Sequence, residues 1–138
     1  MAEIEVFADA CCPFAHVGLR RIREACDATG RSDIVLHVRA WPLELVNGNP
    51  LDGPFIGEEC DEIREQVAPD LFAGFAVDSF PSSSIPAMAL SLRAYSVSPE
   101  AGQAVSLAVR DALFEQGRDI GDRAVLQDIA AAHGVELP

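Results

Sequence analysis

The sequence predicts an α/β protein: one βαβ unit at the N-terminus, followed by a helical half. Two apolar, β-branched stretches, residues 3–8 and 34–41, flank a helical pattern over residues 13–28. After Trp41 no segment reads as a strand, while capping residues and prolines open one helix after another. At 138 residues the length prior gives one domain.

Each element follows from local chemistry. Residues 3–8, with Ile4, Val6, Phe7 and Ala8, form a short apolar pattern and read as a strand. Pro13 suits a first helical turn, where its missing N–H costs nothing, and this makes Cys12 the expected N-cap. The helix over 13–28 gathers Phe14, Val17, Ile22 and Ala25 roughly on one side, and Gly30 ends it. Residues 34–41 are apolar enough for a buried strand, and a strand, helix and strand with short links make a right-handed crossover. A Pro/Gly/Asn loop is expected over residues 42–54. Residues 57–67 read as an acidic helix with Ile63 and Val67 on one face. A loop over 69–81 carries Phe72, Phe75 and Phe80, which fit a core between helices better than a substrate groove. Residues 84–95 read as a helix with Ile85, Met88, Ala89 and Leu92 on its apolar side. Ser98 and Pro99 open a long helix that runs to about Gly117, and Asp122 caps a last one that ends near Gly134.

Composition narrows the function. Hydrophobic residues make up 49% and charged residues 23%, as in soluble globular proteins. No stretch approaches a membrane span, and the N-terminus lacks the basic flank and apolar core of a signal peptide, so a cytoplasmic location is expected. A formal net charge of −12 argues against nucleic acid or an anionic membrane surface as partner. Every basic side chain is Arg, and with abundant Ala this suggests a GC-rich bacterial genome. Four cysteines at positions 11, 12, 26 and 60 make neither a disulfide framework nor the paired CxxC spacing of a zinc site. The acidic run Glu58, Glu59, Asp61 and Glu62 reads as a solvated face.

The chemistry concentrates at Asp9-Ala10-Cys11-Cys12-Pro13-Phe14-Ala15-His16. A thiol at a helix N-terminus faces unpaired N–H groups and the positive end of the helix dipole, which favour thiolate. A redox dithiol would place its second cysteine at position 15, which is Ala15. Cys11 is adjacent, and neighbours strain against the usual Cα separation of about 5.5–6 Å. Cys26 lies about 21 Å along the helix. Cys11, Cys26 and Cys60 therefore read as structural thiols. Two readings fit His16: an i, i+4 neighbour of Cys12 whose imidazolium would further favour thiolate, or a half-exposed first-turn histidine. His37 and His133 read as structural, and Asp9 as a turn former ahead of the cap.

These residues resemble the DsbA-like branch of the thioredoxin superfamily, in particular its FrnE-like members. In that pattern a strand leads into Asp-x-x-Cys-Pro-aromatic, a variable position, then His, Tyr or Trp, with Gly soon after. Here these are Asp9, Cys12, Pro13, Phe14, Ala15, His16 and Gly18. Residues 39–45 (Arg-Ala-Trp-Pro-Leu-Glu-Leu), 112–115 (Ala-Leu-Phe-Glu) and 117–120 (Gly-Arg-Asp-Ile) are similar to the family as well. The resemblance implies a thioredoxin-like βαβ part over residues 1–54 and a helical insertion domain over 55–138. It also implies a C-terminal β-β-α part with a cis-proline loop facing the cysteine, which this chain is expected to lack. One edge of the first strand would then be open, a route to a homodimer.

The resemblance implies a thiol-disulfide oxidoreductase with Cys12 as nucleophile and Pro13, Ala15 and His16 completing a monothiol site. Its expected partners are a protein disulfide or a low-molecular-weight thiol such as glutathione or mycothiol. Two other classes stay open. One is a thiol-cofactor-dependent transferase or isomerase of the kappa glutathione transferase and hydroxychromene-carboxylate isomerase kind. The other is a non-catalytic thioredoxin-like binding module.

Overall fold

A computed structural model of the chain describes residues 2–138. In order, the elements are β1 (Ala2–Ala8), α1 (Pro13–Ala28), β2 (Ile34–Ala40), α2 (Leu43–Asn47), α3 (Gly53–Gln66), a 3-10 turn (Val77–Ser79), α4 (Ile85–Val97), α5 (Pro99–Phe114) and α6 (Arg123–Ala132). β1 and β2 pair in parallel, in register from Ala2 opposite Ile34 to Ala8 opposite Ala40, and form a two-stranded sheet among the described residues.

Because side chains alternate across a strand, this register aligns Val6 and Ala8 with Val38 and Ala40 on one face. Ala8, Leu36 and Val38 are buried there against Leu19 of α1, with Ile22 and Leu107 packed on them. The opposite face carries Glu3, Glu5 and Phe7 beside His37 and Arg39. Arg39 donates to Glu5 at 2.5 Å, and Phe7 meets Trp41 edge-on.

The outer edge of β2 is closed by side chains rather than by a strand. The Tyr95 hydroxyl accepts from the Val38 N–H and donates to the Leu36 carbonyl, each at 2.8 Å. Gln103 Oε1 accepts from the Leu36 N–H at 2.8 Å. Two strands alone are marginal in water, and here α4 and α5 supply the missing edge partners.

The larger core lies among the helices. Ile56, Cys60 and Ile63 of α3, Leu90 and Ala94 of α4, Val105, Val109 and Leu113 of α5, and Leu126 and Ile129 of α6 are buried together, and the cluster reaches Ala10 and Cys11. Phe72 and Phe114 pack edge to face inside it, and Phe75 and Phe80 lie against it. The caps match the sequence. Ser98 Oγ accepts from the Ala101 N–H at 3.0 Å, and Asp122 accepts from the Ala124 N–H at 2.9 Å.

The inward faces of three helices differ from expectation. α1 buries Pro13, His16, Leu19 and Cys26, while Phe14 is 60% exposed and Ala25 is exposed. The helix turns toward α5, where His16 has its partner. In α4 the buried residues are Ala87, Met88, Leu90, Ser91 and Ala94, and Leu92 and Ile85 face outward. Small residues let α4 approach α5 closely, and that contact, not the bulk of Leu92, sets the face. Val67 is exposed beyond the end of α3, whereas Ile63 is buried. The expected loop over 42–54 holds α2, closed by Gly48 at φ 83, and the start of α3, capped by Asp52 accepting from the Phe55 N–H.

Candidate functional site

The end of β1 turns into α1 through Asp9, and the carboxylate organises the turn. Oδ1 accepts from the Cys11 N–H at 2.8 Å, while Oδ2 accepts from the Leu43 N–H at 2.8 Å and from Ser84 Oγ at 3.1 Å. The Asp9 carbonyl accepts from the Cys12 N–H at 3.3 Å. Asp9 is therefore a turn former, as expected, and also a buried carboxylate that ties β1, α2 and the start of α4 together. Glu44 of α2 reinforces that junction by accepting from Ser83 Oγ and the Ser84 N–H.

Cys12 is the N-cap of α1, with extended backbone (φ −87, ψ 116) and no cap hydrogen bond to its side chain. It is half-buried, and Cys11, Cys26 and Cys60 are buried; all four thiols are free. Burial pushes the Cys11 thiol well up, helped by the nearby Asp9 carboxylate. Burial likewise pushes Cys60 up to about 12. Pro13 is buried in the first turn. Ala15 packs against the sheet core, so the place where a second cysteine would stand is filled by a methyl group.

His16 lies inside, 2% exposed. Its Nε2 is 2.8 Å from Glu115 Oε2, and its ring stacks on Phe114 at 5.1 Å and meets Phe72 edge-on. Burial lowers its pKa below the ordinary 6.5, against the opposing pull of Glu115. The ring is thus neutral at neutral pH and donates from Nε2 to the carboxylate. The help available to a thiolate at Cys12 then comes from the helix N-terminus and not from an imidazolium. The same Glu115 carboxylate accepts from the Phe72 N–H at 3.0 and 3.1 Å.

His37 stacks on Tyr95 at 4.3 Å, and His133 Nδ1 lies 2.8 Å from the Ile129 carbonyl at the end of α6. Among the described residues, no group of three His, Cys, Asp or Glu side chains is placed to hold a metal ion. No helix there is long and apolar enough to cross a membrane. The sequence reading assigned no role to Glu115, Ser84 or Arg110. Arg110 carried a signal all the same: it stands four residues after Ser106 and eight after Gly102, on the buried stripe of α5.

A parallel βαβ unit that presents a half-exposed cysteine at a helix N-terminus, joined to a helical body, defines a thioredoxin-like α/β protein with a helical insertion. Comparison with family models narrows this class: the DSBA-like thioredoxin domain matches residues 3–137, and the chain belongs to that family. The family is one of thiol-disulfide oxidoreductase-like proteins. No curated protein matches the chain.

Proposed function

We propose that the protein is a thiol-dependent oxidoreductase that works through Cys12 alone, with the second thiol supplied by another molecule. The observation that carries this reading is the contrast among the cysteines: Cys12 is half-exposed at the start of α1, and the other three are buried. The Cys12 thiolate attacks one sulfur of a disulfide R–S–S–R. The S–S bond breaks, RS⁻ leaves and takes a proton from water, and Cys12 is held as a mixed disulfide with R. A small thiol R′–SH, deprotonated to R′S⁻, attacks the R sulfur, forms R–S–S–R′ and returns Cys12 as thiolate. The net change is exchange, with no external oxidant. Glutathione or mycothiol suits the R′ role, and R is a protein or a second small thiol. Pro13 and Ala15 shape the site, and His16 braces α1 against Glu115. The three buried, unpaired thiols suit a reducing compartment, so we place the protein in the cytoplasm.

The test combines alkylation with intact mass. Iodoacetamide at neutral pH labels Cys12 at least about tenfold faster than any other cysteine. Oxidised glutathione adds one adduct, which reduced glutathione removes and Cys12→Ser abolishes. An adduct that persists in Cys12→Ser sinks the proposal, and so does uniform labelling of all four cysteines.

A further inference from the structure

A cavity of about 290 Å³ lies between the C-terminal end of β2, α4 and α5. Val38, Met88 and Leu92 give it apolar walls, and Ser106 and Arg110 line its α5 side. Arg110 is 2% exposed, yet no carboxylate forms an ion pair with it among the described residues. Its Nη1 donates to the Ser106 carbonyl at 2.8 Å, and its Nε has no partner. Asp9, the carboxylate that acts most strongly on it through space, engages both oxygens with Cys11, Leu43 and Ser84.

A buried, unpaired charge is expensive. Lysine in such a place can lose its proton, but a guanidinium keeps its charge. Asp9 opposes this charge only through space, so the guanidinium keeps a free donor that an anion entering the cleft would fill. Arg110 supplies one positive charge, and the field of Asp9 disfavours a second negative one. The guanidinium is planar and suited to a carboxylate; His37, Ser91, Tyr95 and Arg39, the last already paired with Glu5, also line the cleft, and Val38, Met88 and Leu92 accept hydrocarbon. We propose that this cleft binds a small organic carboxylate, with its charged end on Arg110 and its apolar body against Met88 and Leu92.

Paired probes test it. 2-Naphthoate and the neutral 2-naphthalenemethanol share an apolar body and differ in charge. In protein-observed NMR titrations at about 0.1 M ionic strength, the acid binds at least about tenfold tighter than the alcohol. Arg110→Met removes that preference and leaves the alcohol's affinity in place. Leu92→Asp alters a side chain that is 70% exposed at the rim, keeps the fold, and weakens the acid more than the alcohol, because both lose an apolar contact and only the acid meets repulsion. If Arg110→Met fails to fold, the Leu92→Asp comparison decides. The proposal is overturned if acid and alcohol bind alike, if neither shifts a cleft resonance up to about 5 mM, or if Leu92→Asp weakens both equally.

Discussion

Glu115 ties two distant residues, Phe72 and His16, to the end of α5. Phe72 has φ 66, a left-handed backbone that costs a bulky residue on the order of 1–3 kcal/mol. Its N–H is held by the Glu115 carboxylate, which also accepts from the buried ring of His16. Glu115→Ala leaves both donors unsatisfied and is expected to cost about 2–4 kcal/mol in urea unfolding. Glu115→Gln keeps an acceptor and is expected to cost less than half as much; equal losses would disprove the bracing role. His16 adds a pH dependence. Its folded pKa is lowered from 6.5, so as pH falls the unfolded chain takes up the proton first. Its contribution is fully present above about pH 7 and is lost through 6.5 toward the folded value. His16→Gln should flatten the fall in urea midpoint between about pH 7 and pH 5; a slope identical to wild type would assign that fall to other groups. The Asp9-x-x-Cys12-Pro13 turn was readable because its parts are contiguous. Glu115 was not, since it lies 99 residues from His16 and only the fold brings them together.

Among the elements, α5 does the most to position the others, and Gly102 shows how. A glycine inside a helix usually costs about 0.5–1 kcal/mol relative to Ala. Here a Cβ at Gly102 would lie 1.9 Å from Cδ1 of Tyr95, whose hydroxyl closes the edge of β2. Gly102→Ala is therefore expected to reverse the propensity rule and destabilise by about 1–3 kcal/mol. Hydrogen exchange at the Val38 amide should quicken in Gly102→Ala, and also in Tyr95→Phe, which removes only the hydroxyl. A stabilised Gly102→Ala with an unchanged Val38 amide would refute this account of the edge. The same local logic explains what was legible among the elements. Helix starts at Pro13, Pro99 and Arg123 follow from caps and prolines within a residue or two. Inward faces do not. α4 is apolar almost all round, so its periodicity selects no face, and the small residues Ala87, Ser91 and Ala94 decide the contact. α1 turns inward on a histidine because the acceptor for that histidine sits on another helix.

At the scale of the whole molecule, charge is the dominant long-range term. Among the described residues, seven of the ten arginines form ion pairs, mostly between exposed side chains, such as Arg21 with Asp70 and Arg118 with Asp128. Exposed pairs of this kind contribute little each, because water and salt screen them. Against them stands a net charge of −12 on 138 residues, which opposes the compact state. The excess is concentrated on α3, where Glu58, Asp61, Glu62 and Glu65 are exposed along one helix. Repulsion is already felt there: the Glu59 carboxyl is pushed up by partial burial first and by Glu62 second. Salt screens the favourable pairs and the unfavourable excess together, so the sign of its effect measures which is larger. The surplus of carboxylates predicts that raising sodium chloride from about 10 mM to about 0.2 M increases Tm by a few degrees. Glu58→Arg should raise Tm at the lower salt and shrink the salt response, because it removes one repelling charge and adds an attracting one. A Tm that falls with salt in the wild-type protein would mean that the ion pairs outweigh the net repulsion, and the acidic face of α3 would then have to be read as stabilising.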